Sequence, residues 1–445
     1  MKSKKFVLAG LALLAITGLL ALAGCKNDSL PETPAAKLVS ISVTPSEGTV
    51  YRVGEEVVHK KDGEIGVTAH YDNGTTSPVT GTITTDTSTL TQSAGVQTVT
   101  VRYSEGGIEV SGQFEIRVLP KELTVYKSPN NTDGSWTYME FGEWPQTIKD
   151  ADVTVYETES KKMGMFTYYL GDDDNYYVKI TAKPYVDTYT YTYSDGSPVE
   201  KDAEVYFKVE PIVWRVLTED YKDPDGNSTG NALLLAEGIL TGGIPYYVDT
   251  STRAITGAGT VYPNNWQYST IRAWLNGSYE ANDPQDTTYT GKGFLQTAFT
   301  ADAQSLIADT TVDNSPASTN PASDPNLWEN GENPYASDTP TTDNVFLLSE
   351  KEATNSEYGF DEYNGYGTGN TRIRVTTDYA KATGAYQGDS SAGYGGWWWL
   401  RSPDCSIVNN ARVILNYGDA NSRDDFVDLT NGGVVPALSI SLGGN

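Results

Sequence analysis

Cysteine, histidine and basic residues are all scarce in this sequence. Its 445 residues include two Cys, two His and 31 Lys+Arg against 58 Asp+Glu, giving a formal net charge of −27. Nucleic-acid binding needs clustered Lys and Arg to neutralise phosphates, so we expect no nucleic-acid partner. Two histidines leave little room for a histidine-based metal site or a Ser-His-Asp triad, and we predict no metal and no other cofactor.

The N-terminus has the features of a processing signal. Lysines at positions 2, 4 and 5 precede a charge-free apolar stretch from Phe6 to Leu22, and Leu22-Ala23-Gly24-Cys25 follows. This pattern predicts a signal peptide over residues 1–24. The box at its end resembles that of bacterial lipoproteins. That resemblance implies cleavage before Cys25 and acylation of Cys25, including palmitate, so that the lipid bilayer is one partner.

Two alternatives to lipidation stay open, namely an ordinary secretory signal with a chance cysteine and an uncleaved anchor helix. Several acyl chains anchor a protein stably, because each buried methylene contributes about 0.8 kcal/mol. The polar residues 25–37 favour a flexible tether. Lys26 is not the aspartate that retains some lipoproteins at the inner membrane, which favours the outer membrane or cell surface.

Residues 38–119 show apolar residues at alternate positions, as in Val99, Val101 and Tyr103. Alternation over short runs, with turn signals such as Asp72-Asn73-Gly74 between them, predicts about seven half-buried strands in a β-sandwich. The segment resembles bacterial Ig-like repeats. We interpret it as a spacer rather than an adhesin module, because it does not concentrate aromatic or convergent polar groups.

A linker is expected over residues 120–133 and a large domain over residues 134–445. Buried strands are predicted for Tyr206–Leu217, Leu233–Leu235 and Val345–Leu348. Ser269, Thr300 and Ser349 are predicted to cap short helices, and Asp378–Thr383 is a further helix candidate. The polar stretch 309–343 is predicted to be a long loop.

Five motifs follow one another through this domain: Phe141–Gln146, Pro211–Leu217, Trp274–Asn276, Trp397–Pro403 and Gly433–Leu438. In this order they resemble the treponemal variable lipoproteins and the uncharacterised domain family around them. The resemblance implies the formylglycine-generating-enzyme type of C-type lectin fold. The expected fold class is thus an N-terminal all-β Ig-like sandwich plus a C-terminal α+β C-type lectin domain. One departure is Val435, where the family usually has Arg.

Formylglycine generation needs a pair of cysteines, whereas in the processed chain only Cys405 remains as a thiol, so no internal disulfide can form. We expect Cys405 at the surface or at a variable position and assign no catalytic residue. A calcium-dependent lectin is an alternative, because Asp172–Asn175 and Asp223–Asn227 offer oxygen ligands, although a turn role is favoured there. A carboxylate-dependent hydrolase and a structural lipoprotein without a specific ligand also stay open.

The C-terminal segment has an unusual composition. Glu, Lys, Gln, Met and Trp are absent after Leu400. The fold family that the resemblance implies includes targets of diversity-generating retroelements. These elements mutate adenines, mostly in Asn codons, and the mutated codons can never encode those five residues. Strands and turns also disfavour Glu, Lys and Gln, so this second explanation stays open.

The same segment supplies the candidate ligand site. We expect Trp397–Pro403, Ala411, Val413, Gly418 and Gly433–Leu438 to form a buried frame. The residues between them lack periodicity, so several should face solvent and bind a protein or glycan ligand by shape and hydrogen bonding. The predicted ligand-binding residues are Asp404, Ser406, Ile407, Asn416, Tyr417, Asn421, Ser422, Arg423, Asp424 and Phe426.

Overall fold

The computed structural model describes residues 36–45, 49–93, 95–119, 126–127, 136–185, 191–278, 288–321, 333–337, 339–361, 365–367, 369–421 and 423–441. The predicted signal peptide lies outside these residues, as do Cys25, most of the tether and most of the predicted linker. Strands account for 40% of the described residues and helices for 12%. The protein is therefore mostly β, with few helices.

The N-terminal domain is β-rich, as predicted. Its described strands are β1 (Leu38–Ser42), β2 (Val50–Arg52), β3 (Glu64–Tyr71), β4 (Thr76–Ile83), β5 (Gly95–Glu105) and β6 (Ile108–Leu119). They form one sheet in the order β1-β3-β4-β5-β6-β2. Gly106 and Gly107 have φ of 58° and 78° between the paired residues Glu105 and Ile108, which is the two-residue turn that the glycines predicted.

One strand fewer is described than the expected seven. Within the expected linker, one short strand is described, β7 (Tyr126–Lys127). This strand pairs with β8 (Thr137–Ile148) of the second domain. Its described pairing is therefore outside the N-terminal sheet.

The second domain contains the remaining elements. Its further strands are β9 (Val155–Met163), β10 (Phe166–Gly171), β11 (Tyr176–Thr181), β12 (Glu204–Thr218), β13 (Ala232–Ala236), β14 (Gly238–Ile239), β15 (Arg253–Ile255), β16 (Gly259–Val261), β17 (Thr310–Val312), β18 (Thr341–Asp343), β19 (Val345–Phe346), β20 (Val375–Thr376), β21 (Trp398–Pro403), β22 (Asn410–Ile414), β23 (Asp424–Phe426) and β24 (Ala437–Ile440). Its helices are α1 (Thr270–Asn276), α2 (Phe294–Ala298), α3 (Ala301–Gln304), α4 (Pro316–Thr319), α5 (Glu350–Ala353) and α6 (Asp378–Ala382).

The long strand β12 organises the main sheet. One of its edges pairs with β8, and its other edge pairs first with β11 and then with β13. The register with β8 shifts next to Pro145 and next to Pro211. Because proline has no N–H to donate to the ladder, bulges at these positions are expected.

Tryptophans of the sequence motifs fill the core. Trp144 and Trp214 are fully buried, and their indole N–H groups donate to the carbonyl oxygens of Leu240 (2.9 Å) and Phe141 (2.7 Å). Each ring thus contributes apolar area while its polar atom stays satisfied. These hydrogen bonds explain why the two motifs carry tryptophan.

The three predicted helix caps, Ser269, Thr300 and Ser349, are present. Ser269 Oγ accepts the Arg272 N–H at 3.2 Å, and Ser349 with Glu352 forms a capping box on α5. Thr300 caps α3, but this helix ends at Gln304, before the buried Leu306 and Ile307 that were expected within it. The stretch 309–343 is not one open loop, because β17 and β18 at its two ends pair with each other.

Candidate functional site

The frame of the candidate site is a three-stranded antiparallel sheet, β21-β22-β23. Every residue of β21 and β22 is buried. The rings of Trp397 and Trp399 meet at 5.0 Å between centroids, and Trp398 Nε1 donates to the Arg372 carbonyl at 3.2 Å. The prediction that this tryptophan run is buried framework is confirmed.

The predicted ligand-binding residues lie at two ends of this sheet. The Phe426 end comprises residues 404–410 and 424–428, and the Tyr417 end comprises residues 415–423. Four residue steps along β22 separate Asn410 from Ile414, which is about 13 Å at the rise of a strand. The two sets therefore do not form one compact site.

A buried ionic cluster holds the Phe426 end. Arg412 is fully buried, with Nη1 3.1 Å from Asp404 Oδ2 and Nε 3.5 Å from Glu350 Oε2. The other Asp404 oxygen accepts the backbone N–H groups of Ser406 (2.7 Å) and Ile407 (2.6 Å). The prediction that Asp404 contacts ligand is wrong, since the carboxylate is buried by its ion pair and its turn.

Asp424 also faces this cluster. Its Oδ1 lies 3.9 Å from Arg412 Nη1, and its Oδ2 accepts the Asn410 amide at 2.6 Å. Burial raises the pKa of the Asp424 carboxyl, and the negative charge of Asp404 raises it further. Asp424 is thus half-buried and engaged within the protein.

Cys405 is buried too, so its expected surface position is wrong. It is fully inaccessible, and Arg412 Nη2 lies 3.3 Å from its sulfur. The ion pair between the preceding Asp404 and Arg412 holds this part of the turn in the protein interior. No sequence spacing showed that pairing in advance.

Three of the predicted ligand-binding residues at the Phe426 end do reach solvent. Ser406 is exposed, and the side chains of Ile407 and Phe426 are 44% and 51% exposed. Both apolar residues adjoin Asn410, which pairs with Phe426 and donates its N–H to the Ile407 carbonyl at 3.1 Å. They form a small apolar surface at this end.

The Tyr417 end contains the remaining predicted residues. Asn416, Tyr417 and Asn421 are half-buried and Arg423 is exposed, whereas Ser422 lies outside the described residues. Buried Asp419 accepts the Asn421 N–H and Arg423 Nε, each at 2.9 Å. The hydrogen bond with Asp419 is the main reason that the pKa of the Arg423 guanidinium is raised.

Tyr417 belongs to a group of surface tyrosines. Its ring lies 6.1 Å from that of Tyr366 and 6.0 Å from that of Tyr394. Tyr366 is 71% exposed. Gly418 turns the chain here with a φ of 84°, a conformation that glycine adopts without strain.

A groove of about 730 Å³ opens beside Asn416. The tyrosines in its described lining are Tyr191, Tyr193, Tyr386 and Tyr394. Gly388 forms part of its wall, and a Cβ there would lie 2.6 Å from the Asn416 amide nitrogen. Glycine thus permits the close approach that joins the groove to the Tyr417 end.

The sequence analysis did not find this groove. Its lining comes from residues 191–194, 375–394 and 416, which are far apart in the chain. One signal was available, because tyrosines occupy positions 189, 191 and 193 in an otherwise polar run. Tyrosine at alternate positions places rings on one face of an extended segment.

Most polar groups near the groove are engaged. Lys381 Nζ lies 3.0 Å from both Asp378 Oδ1 and the Thr192 carbonyl. Asp389 Oδ1 accepts the Ser391 N–H at 2.9 Å and its hydroxyl at 2.6 Å. The hydrogen bonds from Ser391 lower the pKa of Asp389.

Two buried polar atoms in the lining stand out. The Tyr193 hydroxyl and Gln387 Oε1 have no hydrogen-bond partner among the described residues. Gln387 uses its Nε2 on the Gly388 carbonyl at 2.7 Å. Burial, followed by the charges of Asp378 and Asp195, raises the pKa of Tyr193 to about 12, so this phenol is neutral at physiological pH.

A second, smaller pocket of about 210 Å³ surrounds Arg401 and Glu352. These two side chains form a buried ion pair, and the Tyr221 hydroxyl donates to Glu352 Oε1 at 3.0 Å. Glu352 also closes the capping box of α5. The pair therefore holds β21 against α5.

The two acidic segments considered for calcium are turns. Asp223 accepts the backbone N–H of Asn227 at 2.7 Å and its side-chain amide at 3.0 Å. Asp173 likewise accepts the Asn175 backbone at 3.2 Å. Within the described residues, no three His, Cys, Asp or Glu side chains are grouped to hold a metal ion.

Comparison with known proteins identifies part of the second domain. Residues 229–442 match a domain of unknown function, DUF6273. No curated protein and no solved structure matches the chain. The matched region contains both ends of the sheet but begins after Tyr191–Ser194, so the groove spans its boundary. Among the described helices, none has the length and apolarity to cross a membrane.

Proposed function

We propose that the protein is a membrane-anchored surface lipoprotein whose C-terminal domain binds a protein or glycan ligand without catalysis. Acylated Cys25 attaches it to the outer membrane or cell surface. An Ig-like sandwich acts as spacer, and a C-type lectin domain of the formylglycine-generating-enzyme type carries the binding surface. Shape and hydrogen bonding provide recognition.

One observation carries the proposal. The tyrosine-lined groove adjoins Asn416 and Tyr417, two of the residues predicted to bind ligand, on a sheet whose interior is rigidly packed. Tyrosine and small polar residues on a fixed frame are typical of recognition surfaces, because they give large contact area at low entropic cost. The Tyr417 end is therefore the primary contact region.

The alternatives have weaker support. The carboxylates considered for calcium are used by their own turns. Glu352, the carboxylate in the smaller pocket, is paired with Arg401 and caps a helix. Neither arrangement favours a calcium-dependent lectin or a hydrolase over ligand display.

The test uses the lipid-free chain from residue 25 onwards. Its Cys25 thiol can be coupled to biotin while the buried Cys405 stays protected, which orients the protein as its lipid would. We expect binding to arrays of glycans or extracellular proteins that the double variant Tyr417→Ala/Arg423→Ala weakens at least tenfold. Tyr156→Ala, at a tyrosine 42% exposed on β9, is the matched control. Absence of any binding that depends on the Tyr417 end would refute the proposal.

Active diversification needs a separate, genomic test. The expected observation is a near-identical repeat beside a reverse-transcriptase gene, differing only at adenines of the codons for residues 400–438. If the structure carries the variation, substitutions should fall on Tyr417, Asn421, Arg423 and Phe426 and spare Asp404. A repeat whose differences fall on Asp404 would contradict this assignment, because its carboxylate pairs with Arg412.

A further inference from the structure

We infer that the groove beside Asn416 binds an uncharged oligosaccharide without calcium. This inference rests on the proposed function and names the ligand class for the same site. It is argued from the charge, the unpartnered polar atoms and the apolar surfaces of the groove.

The charge of the groove favours a neutral ligand. Its described lining has one cation, Lys381, and one anion, Asp389. Lys381 is already bound to Asp378 and Asp389 to Ser391. No uncommitted charge in this lining is therefore offered to a phosphate, a sulfate or an ionic peptide side chain, although the chain as a whole is strongly acidic.

The two buried polar atoms without a hydrogen-bond partner favour a ligand that carries hydroxyl groups. Tyr193 is 4% exposed, and its hydroxyl has no partner in the described part of the chain. Gln387 Oε1 is an acceptor that needs a donor. A buried polar atom without a partner costs about 1–3 kcal/mol, so a ligand that satisfies both atoms recovers that cost. Sugar hydroxyls donate and accept, which matches an unpartnered phenol and an unpartnered amide oxygen in the same lining.

The apolar surface favours sugar over peptide. The half-buried Tyr386 and Tyr394 contribute aromatic rings to it, and the electron-rich faces of such rings attract the polarised C–H groups of a sugar ring. Extended peptides are held by a free sheet edge or by pockets for alternate side chains. Val375 is the aliphatic residue in the described lining, and it lies on the short two-stranded ladder of β14 and β20. The groove therefore lacks, in its described part, a row of aliphatic pockets.

The experiment measures binding of neutral hexasaccharides to the Cys25-immobilised chain in the presence of EDTA. The probes are cellohexaose, maltohexaose, mannohexaose and chitohexaose, and a heparin hexasaccharide is the charged comparison. We expect at least one neutral probe to bind with EDTA present. Tyr394→Ala should then weaken binding at least tenfold, and Tyr156→Ala should not.

A finer variant separates recognition from folding. Tyr193→Phe removes only the unpartnered hydroxyl, so it should weaken binding roughly three- to tenfold without lowering the unfolding temperature. Tyr168 also has a buried hydroxyl with no partner among the described residues, but it lies outside the groove lining. Tyr168→Phe is thus the matched control and should leave binding unchanged.

The outcomes distinguish this inference from the proposed function. Binding of proteins or charged glycans alone, lost on changes at the Tyr417 end, would overturn the ligand class and keep the proposed function. Neutral-glycan binding abolished by EDTA, or insensitive to Tyr394→Ala and Tyr193→Phe, would overturn the inference as well. If no glycan and no protein binds, both proposals fall.

Discussion

The two ends of the β21-β22-β23 sheet differ in how their loops are held. At the Phe426 end, the buried Arg412 binds Asp404 and Glu350, and the turn packs Cys405 inside. At the Tyr417 end, the corresponding ion pair joins Asp419 to Arg423, whose side chain is 47% exposed. A buried ionic cluster therefore holds the Phe426 end, whereas a half-exposed ion pair holds the Tyr417 end.

This difference separates support from recognition. A buried charge must keep its partners, so the residues around Arg412 tolerate little change. The half-exposed pair at the Tyr417 end contributes less to stability, so its exposed member, Arg423, is free to vary with the ligand. The two ends should therefore differ in thiol accessibility, in their contribution to stability, in ligand affinity and in pH response.

Thiol accessibility should show the largest contrast. Cys405 is fully buried, so maleimide can reach it only when the Phe426 end opens, and we expect labelling at least about a hundredfold slower than at Cys25. A cysteine introduced by Asn421→Cys at the Tyr417 end is half-buried and should react much faster than Cys405. Equal rates at Cys405 and Cys25 would show that the Phe426 end is open. Full labelling in urea provides the control.

The ion pairs should differ in their contribution to folding. Arg412→Met leaves Asp404 and Glu350 buried without their cation, so we expect the free energy of unfolding to fall by about 3–5 kcal/mol. Arg423→Met removes a half-exposed pair and should cost at most about 1 kcal/mol. Urea unfolding followed by tryptophan fluorescence measures both. Equal losses would contradict the distinction between a buried cluster at one end and a half-exposed pair at the other.

Ligand affinity should depend more on the Tyr417 end than on the Phe426 end. For a ligand found as described above, Tyr417→Ala should weaken binding about tenfold, because truncating a central aromatic contact commonly costs more than 1 kcal/mol. Phe426→Ala should have a smaller effect, since about 13 Å separates the two ends. Surface plasmon resonance on the immobilised chain compares the two. A larger loss for Phe426→Ala would move the recognition site to the Phe426 end.

The sequence predicted much of the local structure. Alternation located the strands of the N-terminal domain, and side-chain caps located α1, α3 and α5. Such signals are readable because they act over a few neighbouring residues. The buried frame from Trp397 to Pro403 was predicted for the same reason.

The long-range contacts could not be predicted in this way. Asp404 and Cys405 are buried because Arg412 and Glu350 lie beneath them, and Glu350 is distant in the chain. The groove joins residues near 192, 387 and 416, and no local pattern specifies their meeting. The predictions for Asp404 and Cys405 were therefore wrong because tertiary contacts, and not local composition, determine the burial of these residues.

The smallest expected effects concern two carboxylates with pKa shifts of opposite sign. Burial, followed by the charges of Asp424 and Asp428, raises the pKa of Asp425 at the Phe426 end. Its ionised form therefore destabilises the fold. Asp425→Asn keeps an acceptor for the Phe426 N–H, which binds Asp425 Oδ1 at 2.9 Å, and should make the protein more stable than wild type at pH 7. That advantage should disappear as the pH falls through the raised pKa towards 3.8, where the unfolded-state carboxyl also becomes protonated.

Asp389 in the groove should respond in the opposite direction. Ser391 lowers its pKa, so its ionised form stabilises the fold above pH 3.8, and this contribution is lost as the pH falls through the lowered value. Asp389→Asn should therefore be slightly less stable than wild type at pH 7 and equal to it in strong acid. Urea midpoints measured from pH 7 to pH 2 for both variants give the two signs. Changes of the same sign would show that the electrostatic environments of the two carboxylates do not differ as their contacts require.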